Sequence, residues 1–107
     1  MFGLFKKKMN RNALIFTFLQ LVGNLIDKHG KNISIPLIED KFNEHLNFSK
    51  TKLSPDQLLS IKYASQIVCM NEELQEKILK LHHTTEQQTE EQFLVVMDDF
   101  QSYGCFC

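Results

Sequence analysis

The run Ala13 to Ile26, ALIFTFLQLVGNLI, constrains the fold more than any other stretch of this sequence. It is the most apolar segment of the chain and its period is helical. At about 100° per residue, Leu14, Ile15, Phe18, Leu19, Leu21, Val22, Leu25 and Ile26 fall on one arc of about 160°. Thr17, Gln20, Asn24, Asp27 and Lys28 fall on the other. That division predicts a helix whose apolar face forms one wall of a core. The run is shorter than the roughly 20 apolar residues needed to cross a bilayer, and Gln20, Gly23 and Asn24 interrupt it. Lys6, Lys7, Lys8 and Arg11 ahead of it imitate the start of a signal peptide, but no small-x-small cleavage pattern follows. An amphipathic helix explains the pattern better.

One such helix needs others to cover it. A chain of 107 residues is expected to form one domain with one core. Leu, Ile, Val and Phe make up about a third of it, well above the roughly one fifth below which chains stay disordered. Nine phenylalanines and no tryptophan point to a core of Phe and Leu. Two prolines, four glycines and little alternation of apolar and polar residues favour helices over strands. The expected fold is an all-α bundle of four to five helices over residues 13–104. A flexible basic arm (residues 1–12) precedes it and a cysteine-containing tail (residues 105–107) follows.

Punctuation along the chain places the helices. Asn10 or Asn12 is suited to cap the first, and Gly30 after Lys28 and His29 to end it. Pro36 fits the start of a second helix reaching about Asn47, with Ile38, Phe42 and Leu46 as its stripe. Ser54-Pro55-Asp56-Gln57 is a capping box with proline at the first helical position, and Leu53 and Leu58 are spaced as a hydrophobic staple. The helix that follows carries a wide apolar arc of Leu59, Ile61, Tyr63, Ala64, Ile67, Val68 and Met70 against a narrow stripe of Lys62, Ser65 and Gln66. It is therefore expected to be the most enclosed. Asn71 caps a fourth helix or marks a bend. Thr84-Thr85 weakens it, Thr85 or Thr89 is suited to start a fifth, and Gly104 to end it.

Charge is unevenly distributed. Residues 1–12 carry four positive charges and none negative, residues 71–107 eight negative and two positive, and the total is −1. A near-neutral chain lacks the basic face expected of a nucleic-acid-binding domain. Three cysteines, with Cys69 far from Cys105 and Cys107, do not make a secreted disulfide scaffold. The expected location is cytoplasmic.

Candidate sites are few. Lys28 to Glu39 has the rhythm of a calcium loop, but Lys28 stands at the first ligand position and Ile33 where glycine is needed. His82, Glu86 and Glu90, four residues apart, form a possible metal stripe if one helix holds them all. No second carboxylate–histidine motif accompanies them. Cys69 as a nucleophile needs a base beside it. Asp98 and Asp99 diverge by about 100° on a helix and cannot form a dyad. Cys105-Phe106-Cys107 reads as a frayed tail. No cofactor, small-molecule substrate or enzymatic activity is inferred. Phe16, Leu37, Cys69 and Val95 lie off the expected core faces and make a candidate interaction surface. The leading expectation is thus a non-enzymatic protein-interaction or regulatory module, forming a homodimer. The alternatives are peripheral membrane association through Phe2, Leu4, Phe5, Lys6, Lys7, Lys8 and Arg11, which one short arm makes weak, and a metal protein or enzyme built on His82 and Glu86, or on Cys69.

Overall fold

A computed structural model describes residues 7–8, 10–83 and 86–106, with the side chains of residues 7, 8, 31 and 86–89 outside the description. The architecture is all-α. In chain order it comprises α1 (Arg11–His29), a single 3-10 turn (Gly30–Asn32), α2 (Ile35–Ser49), α3 (Pro55–Met70), α4 (Glu72–His82) and α5 (Glu86–Ser102). A two-residue parallel ladder joins β1 (Lys7–Lys8) to β2 (Thr51–Lys52), with Lys7 opposite Thr51 and Lys8 opposite Lys52. Periodicity does not reveal a ladder this short. The radius of gyration, 13.7 Å, is close to the roughly 13 Å of a folded domain of this length.

The caps show why each helix starts where it does. Asn10 Oδ1 accepts from the Ala13 amide at 2.8 Å, so α1 begins at Arg11, and Arg11 belongs to the helix and not to an arm. Ser34, not Pro36, sets the start of α2: its hydroxyl accepts from the Leu37 amide. At α3 the expected capping box is complete. The Gln57 amide donates to Ser54 Oγ at 3.2 Å and the Ser54 amide donates to Gln57 Oε1 at 3.0 Å, an arrangement that stabilises by about 1 kcal/mol. The staple beside it is incomplete, because Leu53 is buried while Leu58 is half exposed. Asn71 ends α3 and caps α4, accepting from the Leu74 amide at 3.0 Å. The fourth and fifth helices are separate, since α4 stops at His82.

The first helix forms one wall of the core: its predicted apolar arc is buried, while Phe16, Gln20, Asn24 and Asp27 on the opposite side stay exposed. Leu14, Ile15, Phe18, Leu19, Val22, Leu25 and Ile26 are all buried, and α1 packs on α2 and, most extensively, on α4. Phe18 is the hub. Its ring lies 6.3 Å from Phe42 of α2, 6.0 Å from Phe100 of α5 and 6.0 Å from Phe106. Each such aromatic pair adds about 0.5–1.5 kcal/mol to the burial of its area. Gly23 marks a close approach of α1 and α4: a Cβ there would stand 2.9 Å from His82 Cβ.

Two expectations are corrected. Cys105 and Phe106 are not part of a frayed tail, because both are buried in the core. After α5 the Gly104 amide donates to the Gln101 carbonyl and the Cys105 amide to the Phe100 carbonyl, both at 2.9 Å. This is a Schellman closure, with Gly104 at φ 81° in the left-handed region it requires. It turns the chain back so that Phe106 stacks edge-on against Phe100 at 5.5 Å. The core unit therefore extends past residue 104.

Nor is the third helix the most enclosed. Ile61, Ala64, Ser65 and Val68 are buried, but Leu59, Tyr63 and Met70 are exposed by 65%, 47% and 85%. The core-facing arc is rotated toward Ser65, which the sequence reading placed on the polar stripe. Ser65 enters the core because its hydroxyl donates to the Ile61 carbonyl at 2.7 Å and so carries its own partner. Gln75, also buried, donates to the Val68 carbonyl at 2.7 Å and satisfies the end of α3.

Candidate interaction surface

Of the four residues expected at an interaction surface, two are uncovered and two are not. Phe16 is 44% exposed. It rests against Phe93 of α5 at 6.1 Å and borders an open groove of about 700 Å³ whose lining includes Leu19, Gln20, Leu81 and His82. Val95 is 43% exposed beside Leu94 on the outer side of α5, flanked by Glu91 and Asp98. Leu37 and Cys69 instead pack against the core and are only partly exposed. Cys69 lies at the margin of the buried arc of α3, and Leu37 lies off the stripe of α2.

Burial raises the Cys69 thiol above its ordinary 9.0, so it is held in the protonated form and is a poor nucleophile. Neither Cys69 nor Cys105 is in a disulfide, and Cys107 lies outside the described residues. The His82–Glu86–Glu90 stripe is interrupted, because α4 ends at His82 and α5 begins at Glu86. His82 packs its ring against His83 at 5.2 Å, and His83 Nε2 meets Asp27 Oδ1 at 3.1 Å, tying the end of α4 to α1. Among the described residues no three His, Cys, Asp or Glu side chains converge as metal ligands would. Asp99 pairs with Lys77 at 2.7 Å, linking α5 to α4, and this hydrogen bond raises the lysine above its ordinary 10.5. Asp98 points to solvent.

The larger uncovered surface is one the sequence reading assigned to the core. Leu59, Tyr63 and Met70, at i, i+4 and i+11, fall within about 40° of each other on the outer side of α3. Tyr103, 46% exposed, extends this stripe past the end of α5. Two hydrogen bonds hold it there: the Tyr63 hydroxyl donates to the Tyr103 carbonyl at 3.0 Å, and Asn71 Nδ2 donates to the Tyr103 hydroxyl at 2.7 Å. The two aromatic residues are thus fixed before any partner arrives. The signal available in the sequence was Ser65 and Ala64 on the opposite side of α3, two small residues suited to close packing against a neighbouring helix.

Of the expected membrane arm, Phe2, Leu4, Phe5 and Lys6 lie outside the described residues. Lys7 and Lys8 form the ladder with β2, and Arg11 is exposed in the first turn of α1. Among the described residues no helix is long and apolar enough to cross a membrane. Comparison with protein-family models, with curated proteins and with solved structures finds no match.

Proposed function

We propose that this protein is a non-enzymatic interaction module that self-associates as a homodimer through the outer face of α3. The observation that carries the reading is the stripe of Leu59, Tyr63, Met70 and Tyr103, four large side chains uncovered on one side of a small domain. Isolated exposed apolar residues are ordinary, but a contiguous group rimmed by polar ones marks a contact surface. From Leu59 to Met70 the stripe runs about 16 Å along the helix axis. A two-fold axis across its middle would set Leu59 of one copy over Met70 of the other, in the self-complementary manner of isologous dimers. The tyrosines, held by their hydrogen bonds, lose little freedom on association. A stable interface needs roughly 800 Å² per partner, so the residues around the stripe must contribute as well.

Sedimentation equilibrium under reducing conditions tests this. The wild-type protein is expected to dimerise at micromolar concentration, and Met70→Asp to shift it to monomer with helix content unchanged. Phe16→Asp, on the other exposed face, is expected to leave the dimer intact. A strictly monomeric wild-type protein would overturn self-association. Dissociation by Phe16→Asp but not by Met70→Asp would move the interface to the α1–α5 side.

A further inference from the structure

The parallel ladder joins two stretches of chain that carry only positive formal charge. Ahead of Asp27 the sequence has Lys6, Lys7, Lys8 and Arg11 and no carboxylate. Between Glu44 and Asp56 its only lysine, arginine, aspartate or glutamate residues are Lys50 and Lys52. The register of β1 on β2 sets Lys8 opposite Lys52, so residues more than forty apart in sequence form one basic pole. Arg11, Lys50 and Lys52 are exposed, and none is in an ion pair with another described residue. Glu44, on the preceding helix, lies 3.8 Å from Lys41. Like charges repel, and a ladder whose two strands carry lysines and no carboxylate of their own is poised for an external anion.

An aromatic side chain accompanies the charge. Phe48 is 88% exposed in the last turn of α2, two residues before Lys50. Phe48 borders a groove with Lys28, Lys41 and Glu44, and an exposed ring beside basic groups is the composition of a membrane-interface site, in which basic groups meet headgroups and the ring enters the boundary below them. We infer that the ladder end of the molecule binds an anionic lipid surface through Arg11, Lys50 and Lys52, with Phe48 as the inserted side chain. One short arm supplies a single weak signal; the ladder adds the second basic segment and the apolar group that reversible anchoring needs. The net charge of −1 favours this over a nucleic acid, since repulsion from the rest of the molecule matters less on a surface touched at one pole only.

The test is co-sedimentation of the full chain with phosphatidylcholine vesicles, with and without phosphatidylserine. Binding is expected only with phosphatidylserine and is expected to weaken as salt is raised. Each lysine near the surface corresponds to about a fivefold change in partitioning, so Lys50→Asn with Lys52→Gln is expected to reduce binding roughly thirtyfold. Asn is chosen because Lys50 has φ 53°, a left-handed conformation that Asn tolerates. Phe48→Ser is expected to weaken binding at every salt concentration without changing the salt dependence. Circular dichroism checks that each variant folds; if the double variant does not, Lys52→Gln alone and the salt dependence of the wild type decide. Failure to bind, equal binding to both vesicle types, wild-type binding by the double variant, or tighter binding to a single-stranded DNA oligomer than to the vesicles would each overturn the inference. None of these outcomes bears on the α3 dimer.

Discussion

Gly23 and Cys69 each owe their importance to a neighbour contributed by another part of the chain. In an isolated helix, replacing a central glycine by alanine stabilises by about 0.5–1 kcal/mol. At Gly23 the new methyl would meet His82 Cβ at 2.9 Å, and that atom is fixed to the α4 backbone. Overpacking of this kind costs about 1–3 kcal/mol. Gly23→Ala is therefore expected to lower the urea midpoint, against the sign of its helix propensity. Cys69 is expected to react slowly with a thiol reagent in the native protein and quickly in urea, since burial keeps its thiol protonated. Linkage gives the pH dependence. The unfolded thiol loses its proton near 9.0 and the folded one at higher pH, so between the two the native state holds more protons. Stability from this source is fully present below 9.0 and declines as pH rises through the folded value. Cys69→Ala is expected to flatten that part of an alkaline denaturation profile.

At the scale of the element, the turn after α5 converts Cys105 and Phe106 from apparent tail into core. Gly104 supplies the left-handed backbone, the Schellman hydrogen bonds fix the reversal, and Phe106 closes an aromatic triangle with Phe18 and Phe100. A phenylalanine in a frayed tail would be dispensable. Phe106→Ala is expected to cost about 3–5 kcal/mol, as for other buried phenylalanines. A change below about 0.5 kcal/mol, the range of ordinary surface substitutions, would show that the tail does not pack. The caps at Asn10, Ser54 and Asn71 behave differently, because each depends only on residues three positions away. Ser34 shows how finely such signals are balanced: serine and proline both mark a helix start, and the hydroxyl that reached Leu37 set the boundary.

At the scale of the molecule, helices are assigned to inside and outside by what covers them. Helix α1 buries its apolar arc because α4 packs along it and Phe42 of α2 and Phe100 of α5 converge on Phe18. Helix α3 packs on α2 and α4 and keeps its other side free. Leu59 and Ile61, two residues apart, therefore differ in consequence. Ile61→Ala is expected to destabilise by about 2–5 kcal/mol, while Leu59→Ala measured in a monomeric background such as Met70→Asp is expected to stay within about 0.5 kcal/mol. Equal losses at the two positions would place the outer stripe inside the core.

By itself the sequence determined the all-α class, the helical run Ala13 to Ile26 and most of the helix ends. Those depend on local periodicity and on hydrogen bonds spanning a few residues, which any chain with this sequence must make. Only the tertiary structure decided which side of α3 faces the core, because its apolar residues cover more than half its circumference and periodicity alone cannot choose among them. It also decided that Leu37 and Cys69 are packed, that Phe106 is buried and that Lys8 lies opposite Lys52. Each of these rests on a contact between residues distant in the chain, and its energy depends on a neighbour that no local pattern specifies.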